Sequence, residues 1–302
     1  MQSIGWIGVG IMGGPMVRNL LKAGFEVHIT ARNRAKVEEV IQAGAVFHDT
    51  IAGCVQGRQA VVTMVGYPQD VEEVYFAPGN ILDQAAPGTY LIDMTTTSPT
   101  RAQRLAVEGA KRGFRVLDAP VTGGDVGAKA GTLSILVGGE AADFAACRPL
   151  FAALGTNITH QGPAGCGQHA KLANQIMIAG TLSGLCEALA YAQAKGLDGG
   201  KLLGALATGA AGSRQLDTLG EKILTGDDAP GLYLKHFVKE LGLAQDQARD
   251  RGLTLEALGQ ALAHCTDLDG QRMGARGTHD LTHHNHNPAD TPAHPHGPPA
   301  AL

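Results

Sequence analysis

The chain has 302 residues, 44% of them hydrophobic and 17% charged, which suits a globular protein with more than one buried core; two domains are expected at this length. A net charge of −4 leaves no basic excess for nucleic acid or an anionic membrane surface. The cysteines (Cys54, Cys147, Cys166, Cys186, Cys265) form no C-x-x-C pair, and their odd number fits reduced thiols better than a disulfide framework. The N-terminus reads directly into a strand, without the charged region and cleavage site of a signal peptide, so a cytoplasmic setting is expected.

In chain order, β-rich runs occur at Ser3–Val9, Glu26–Thr30, Ala60–Met64, Tyr90–Asp93, Arg115–Leu117 and Leu133–Val137. Helical patterns separate them, among them Met12–Ala23, Ala35–Ala43 and Pro99–Arg112. Strands alternating with helices predict an α/β fold with a doubly wound parallel sheet. Past Gly162 the strand pattern stops. Helical patterns follow at His169–Lys195, Leu197–Thr208, Gln215–Leu224, Leu232–Arg251 and Leu255–Ala263, with Gly196 and Gly252 placed as C-caps. The expected organisation is therefore a dinucleotide-binding domain over 1–162, an all-helical domain over 163–282, and a tail over 283–302. That tail is rich in Pro and His and poor in large apolar residues, so it is expected to be disordered. The apolar stretch Leu172–Ala194 contains Asn174, Gln175 and Glu187, which suits a buried helix rather than a membrane span.

Gly8-Val9-Gly10-Ile11-Met12-Gly13 matches G-x-G-x-x-G between a strand and a helix, the context that gives the pattern meaning. Gly8 permits the tight turn, Gly10 the approach of a pyrophosphate, and Gly13 close packing of helix on strand, with Ile11 and Met12 beside the cofactor. At the end of the second strand, Thr30-Ala31-Arg32-Asn33-Arg34 offers no carboxylate for a ribose diol. Two arginines stand there instead, so NADP is expected in preference to NAD, with Arg32 the first contact for the 2′-phosphate. Arg34 reads as a surface charge.

Four ordered motifs resemble the β-hydroxyacid dehydrogenases, the group that includes 3-hydroxyisobutyrate dehydrogenase, tartronate semialdehyde reductase and the glyoxylate/succinic semialdehyde reductases. They are GVGIMGGPM (Gly8–Met16), DAPVTGG (Asp118–Gly124, continuing through Gly131-Thr132-Leu133), GCGQHAKLAN (Gly165–Asn174) and KHFVKELGL (Lys235–Leu243). The resemblance runs from residue 1 to about Leu281. It implies a Rossmann domain followed by a helical domain like that of 6-phosphogluconate dehydrogenase. It further implies Lys171 as general acid/base, Asn174 as its partner at the substrate, and Thr122-Gly123-Gly124 as the turn that binds a substrate carboxylate. Lys239 resembles the lysine that reaches the cofactor; the family usually reads Lys-Asp where this chain has Lys239-Glu240.

Met64 and Val65, at one strand end, are expected to line the cofactor, and Thr95 to lie near the nicotinamide ribose. The expected activity is reversible hydride transfer between a small β-hydroxy acid and its semialdehyde or keto acid. No metal is needed, because the cofactor carries the hydride. The resemblance also implies a homodimer or homotetramer. Two other readings fit the fold: a non-catalytic dinucleotide-binding module and an imine reductase. Lys171 and the carboxylate turn weigh against both.

Overall fold

The computed structural model describes residues 1–227, 229 and 231–285. Nine strands form one sheet: β1 (Ser3–Ile7), β2 (Glu26–Thr30), β3 (Val46–His48), β4 (Ala60–Thr63), β5 (Tyr90–Asp93), β6 (Arg115–Asp118), β7 (Val121–Thr122), β8 (Leu133–Gly139) and β9 (Gly155–Gly162). Their order is β3-β2-β1-β4-β5-β6-β8-β7, with β9 paired to β8. From β3 to β6 every pairing is parallel, which gives the doubly wound half expected from the alternation of strands and helices. Beyond β6 the sheet departs from the all-parallel expectation, because β8 runs antiparallel to both β6 and β7. The reversal has a local cause. The chain turns back in residues 123–132, between β7 and β8, a connection shorter than the dozen or more residues that a parallel return needs.

Alternation along the central strands divides their side chains between the two faces of the sheet. Ile4, Trp6, Val62 and Ile92 pack into one apolar cluster with Met16, Val17 and Leu20 of the helix Gly13–Lys22. Ile7, Val61 and Leu91 pack into a second cluster with Val71, Tyr75 and Leu105. Both faces are therefore covered, as a parallel sheet requires.

From Cys166 onward the chain is helical: Cys166–Ala194, Gly199–Ala207, Arg214–Thr225, Leu234–Arg249 and Glu256–Leu268. Several termini are capped as their residues predict. Asp198 accepts from the N–H of Lys201, and Ser213 from that of Leu216. Gly196 and Gly252 take positive φ of 70° and 67° just past helix ends. The 29-residue helix Cys166–Ala194 is not buried all round: Ala173, Met177, Gly180, Gly184 and Tyr191 form an exposed stripe along it.

The change from strands to helices falls between Gly162 and Cys166, but packing divides the chain differently. One compact unit comprises Met1–Ile176 with Lys239–Thr254, and the other Met177–Val238 with the chain from Leu255 onward. The second unit is held by Leu185, Leu189, Leu203 and Leu216, with Leu202, Leu206, Leu219 and Ile223 packed around them. A 3-10 helix, Thr278–Asn285, continues three residues into the stretch expected to be disordered; residues 286–302 lie outside the described residues. Among the described residues no helix is long and apolar enough to cross a membrane.

Candidate active site

The strand registers assemble the site. Ile7 pairs with Thr30 on one side and Thr63 on the other; Thr63 pairs with Asp93, and Asp93 with Asp118. These residues form one row across the carboxyl edge of the sheet. The segments that follow them (Gly8–Gly13, Ala31–Arg34, Met64–Gly66, Met94–Thr97 and Ala119–Gly124) consequently emerge side by side. The order reverses between β1 and β4, the switch point where an open α/β sheet leaves a crevice for a ligand.

The three glycines of the first turn have different surroundings. A Cβ on Gly8 would stand 2.2 Å from the carbonyl oxygen of Met64, and Gly8 has φ of +100°. A Cβ on Gly13 would stand 1.9 Å from the carbonyl oxygen of Gly8. A Cβ on Gly10 would meet no protein atom within 4 Å. Gly8 and Gly13 are thus required by the fold itself, whereas Gly10 borders open space at the start of the helix Gly13–Lys22. That is where backbone N–H groups and the helix dipole favour a pyrophosphate, so the turn fits a dinucleotide. Ile11 is exposed, Met12 is half-buried, and the buried indole of Trp6 donates from Nε1 to Gly8 O at 3.1 Å.

Arg32 is exposed, two residues past β2. Arg34 lies with its guanidinium 5.0 Å from the centre of the Phe47 ring. Across the switch point, Met64 and Val65 are half-buried, and the Val65 N–H donates to Thr95 Oγ1 at 3.0 Å. Thr95 is in turn fixed by Asp93, whose Oδ1 accepts from Thr95 N at 3.0 Å and from Thr63 Oγ1 at 2.8 Å. Asp93 is buried, and burial raises its carboxyl to about 6. The next carboxylate along the edge, Asp118, accepts from the N–H groups of Gly165 (2.7 Å) and Gln168 (2.9 Å) at the start of the helix Cys166–Ala194. Burial raises its pKa, and those N–H bonds oppose the rise.

Gln168, Lys171 and Gln175 occupy spacing i, i+3, i+7 on the long helix, and all three are buried although all are polar. Gln168 joins the helix to the strand ends, accepting from Thr97 N at 3.0 Å and donating to Thr95 O at 2.8 Å. Lys171 is 7% exposed; burial lowers its pKa, with Lys239 adding to the effect and Glu240 opposing it. Such an amine can both give and take a proton. Asn174 is half-buried and donates from Nδ2 to Gln175 Oε1 at 2.7 Å.

Lys239 donates to the carbonyls of Gly66 (3.2 Å) and Thr96 (3.1 Å), the segments that follow β4 and β5, so it sits on the two loops expected at the cofactor. In the turn Thr122-Gly123-Gly124 the threonine is half-buried, and the two glycines take φ of 134° and 63°. A backbone turn of this kind can bring successive N–H groups together as a concavity for an anion. Among the described residues no group of three His, Cys, Asp or Glu has the arrangement of a metal site.

Sequence reasoning missed Gln168, Gln175 and the structural part of Asp118. The buried polar triplet at helical spacing was the available signal for the first two.

Comparison with known proteins agrees with this geometry. Residues 3–162 match the model of the NAD-binding domain of 6-phosphogluconate dehydrogenase. Residues 165–284 match the model described as the NAD-binding domain of NADP-dependent 3-hydroxyisobutyrate dehydrogenase. The chain belongs to the β-hydroxyacid dehydrogenase family. Like other members of that family, it is a nicotinamide-dinucleotide-dependent oxidoreductase acting on CH–OH groups. It is 42% identical to a protein of Arabidopsis thaliana named "Probable 3-hydroxyisobutyrate dehydrogenase-like 1, mitochondrial", over 92% of this chain and 83% of that one. It is 38% identical to the 2-hydroxy-3-oxopropionate reductase of Escherichia coli, over 84% and 87% of the two chains. Among solved structures, "Psf3 in complex with NADP+ and 2-OPP" superposes with a TM-score of 0.86 at 25% identity, covering 93% of this chain and 99% of that one.

Proposed function

We propose that this chain is an NADP-linked reductase of small aldehyde or keto acids, working reversibly on the matching β-hydroxy acids. The observation that carries the reading is the buried Lys171 beside the carboxyl edge of the sheet. A nicotinamide dinucleotide bound at the glycine turn would supply or accept the hydride. Lys171 gives a proton to the carbonyl oxygen in reduction and removes it from the hydroxyl in oxidation. Burial suits it to both directions, since it lowers the pKa of the amine from its usual value and so eases release of the proton. Asn174 hydrogen-bonds the substrate, and Thr122-Gly123-Gly124 holds its carboxylate through backbone N–H groups and a hydroxyl.

The preference for NADP rests on Arg32, an exposed cation two residues past β2 where no acidic side chain competes for the ribose. The reductase of Escherichia coli and the NADP+ complex described above support both the small acid and the phosphorylated cofactor. The test follows oxidation of NADPH and of NADH at the nicotinamide absorbance, against a panel of small semialdehydes and keto acids. Turnover with NADPH at the higher catalytic efficiency is expected. Higher efficiency with NADH overturns the cofactor assignment. Tight NADPH binding without turnover of any panel member favours the non-catalytic module.

A further inference from the structure

Glu240 is a buried carboxylate whose place in the chemistry is not given by hydride transfer itself. It is 5% exposed on the helix Leu234–Arg249. Its Oε2 accepts from Gln175 Nε2 at 2.5 Å, and its Oε1 lies 3.5 Å from Lys239 Nζ. A buried charge of this kind is costly unless paired, so its partners indicate what it is for.

An ammonium has three donors and no acceptor. Lys239 has three oxygen partners, namely Gly66 O, Thr96 O and Glu240 Oε1. Lys239 is thereby tied to two loop carbonyls and to Glu240. Lys171 and Gln175, four residues apart, lie on the same buried face of the long helix. The amide that holds Glu240 is thus one helical turn from the proposed acid/base. One carboxylate, bonded to Gln175 and paired with Lys239, thus acts electrostatically on Lys171 as well.

We propose that Glu240 is a positioning residue for Lys171: anchored by Gln175 and Lys239, its carboxylate is the countercharge that lets the buried Lys171 amine still take up a proton. The inference rests on the acid/base role given to Lys171 above. Of the charged groups around Lys171, Glu240 favours its ammonium and Lys239 disfavours it. The strand-end carboxylates are committed elsewhere, Asp93 to Thr63 and Thr95, and Asp118 to the N–H groups of Gly165 and Gln168.

The test is competitive acetylation of the intact protein by acetic anhydride across a pH series, read at Lys171 by peptide mass spectrometry. It reports the free amine whether or not a substrate is known, so failure of the reductase reading and failure of this one are separate results. Glu240→Gln keeps the shape and removes the charge. The Lys171 midpoint is expected about one pH unit lower there, equivalent to about tenfold more free amine at a given pH below it. Glu240→Asp is expected to restore most of the wild-type midpoint. Lys239→Met, which removes the competing cation, is expected to raise it, and this opposite sign keeps the test decisive even if the glutamine variant folds poorly. An unchanged midpoint in Glu240→Gln, equal shifts in the Gln and Asp variants, or a fall in Lys239→Met overturns the proposal.

Discussion

Asp118 caps Gln168 across 50 residues of sequence: the carboxylate at the end of β6 accepts the Gln168 N–H, and that of Gly165, at the start of the helix that carries Lys171. Free N–H groups at a helix start ordinarily make an anion site. Here a protein carboxylate fills it, which is consistent with the proposal that a substrate carboxylate binds instead at the turn Thr122-Gly123-Gly124, four residues past Asp118. Asp118→Ala leaves two buried N–H donors without that partner and is expected to cost about 2 kcal/mol of stability. Urea unfolding checks it; a wild-type midpoint would mean that the cap contributes nothing.

Gly10 and Gly13 separate cofactor binding from folding. Gly13→Ala forces a Cβ into the Gly8 carbonyl at 1.9 Å, so this variant is expected to destabilise the fold. Gly10→Ala meets nothing in the protein, and its stability is expected within about 0.5 kcal/mol of wild type. Its NADPH affinity is expected to fall about tenfold or more, because the methyl stands where the pyrophosphate approaches. Thermal unfolding and fluorescence titration read the two effects independently. Unaltered NADPH affinity in Gly10→Ala would remove the pyrophosphate from this turn.

Lys171→Met keeps the aliphatic stem and deletes the amine. Turnover is expected to fall by about 10² to 10⁴, the usual range for a general acid/base, with the NADPH dissociation constant nearly unchanged. An active variant would sink the assigned role.

Arg32→Asp reverses the charge offered to the 2′-phosphate. Its ratio of catalytic efficiencies, NADPH over NADH, is expected to fall by about tenfold or more, equivalent to the roughly 1.5–3 kcal/mol of a charge-assisted hydrogen bond. If the preference stays where it was, another residue reads the phosphate.

Asp93 gives the chain a pH-dependent term. Its carboxyl is raised from 3.8 to about 6, because burial disfavours the ionised form. A raised carboxyl binds its proton more tightly folded than unfolded. The stability it contributes is complete below pH 3.8 and is lost as pH rises through about 6. The size is about 3 kcal/mol at 1.36 kcal/mol per pH unit. Asp93→Asn keeps an acceptor for Thr63 and Thr95 but cannot ionise. Between pH 4 and 7 its stability is expected to fall by about 2.5 kcal/mol less than that of wild type. Parallel curves for the two proteins would refute the assignment.

The legible parts of this molecule were those whose determinants are local. β1, the glycine turn and its helix can be read because an apolar run, three glycines and an amphipathic pattern are contiguous. β2 and β5 match their expected bounds because their runs end on turn residues. β3, β7 and β9 escaped notice for physical reasons. Two are only three and two residues long, and β9 (GTNITHQG) is polar and largely solvent-facing, so it lacks the apolar signature of a buried strand. In the site, Lys171 was accessible through its motif, whereas the structural role of Asp118 was not. Its partners lie 47 and 50 residues away and are backbone N–H groups, which leave no mark on side-chain identity. In the sequence Glu240 stands out only as a glutamate where the resembled family usually has aspartate. Only its burial and its bond to Gln175 distinguish it from a solvated surface charge.

The chain has a single tryptophan, and its indole N–H is bonded to the carbonyl of the first glycine of the nucleotide turn. Every photon of indole emission therefore originates beside the glycine turn that fits a dinucleotide. Since the reduced nicotinamide absorbs in the band where indole emits, the natural protein carries its own optical gauge of cofactor occupancy, with no second tryptophan to dilute the reading.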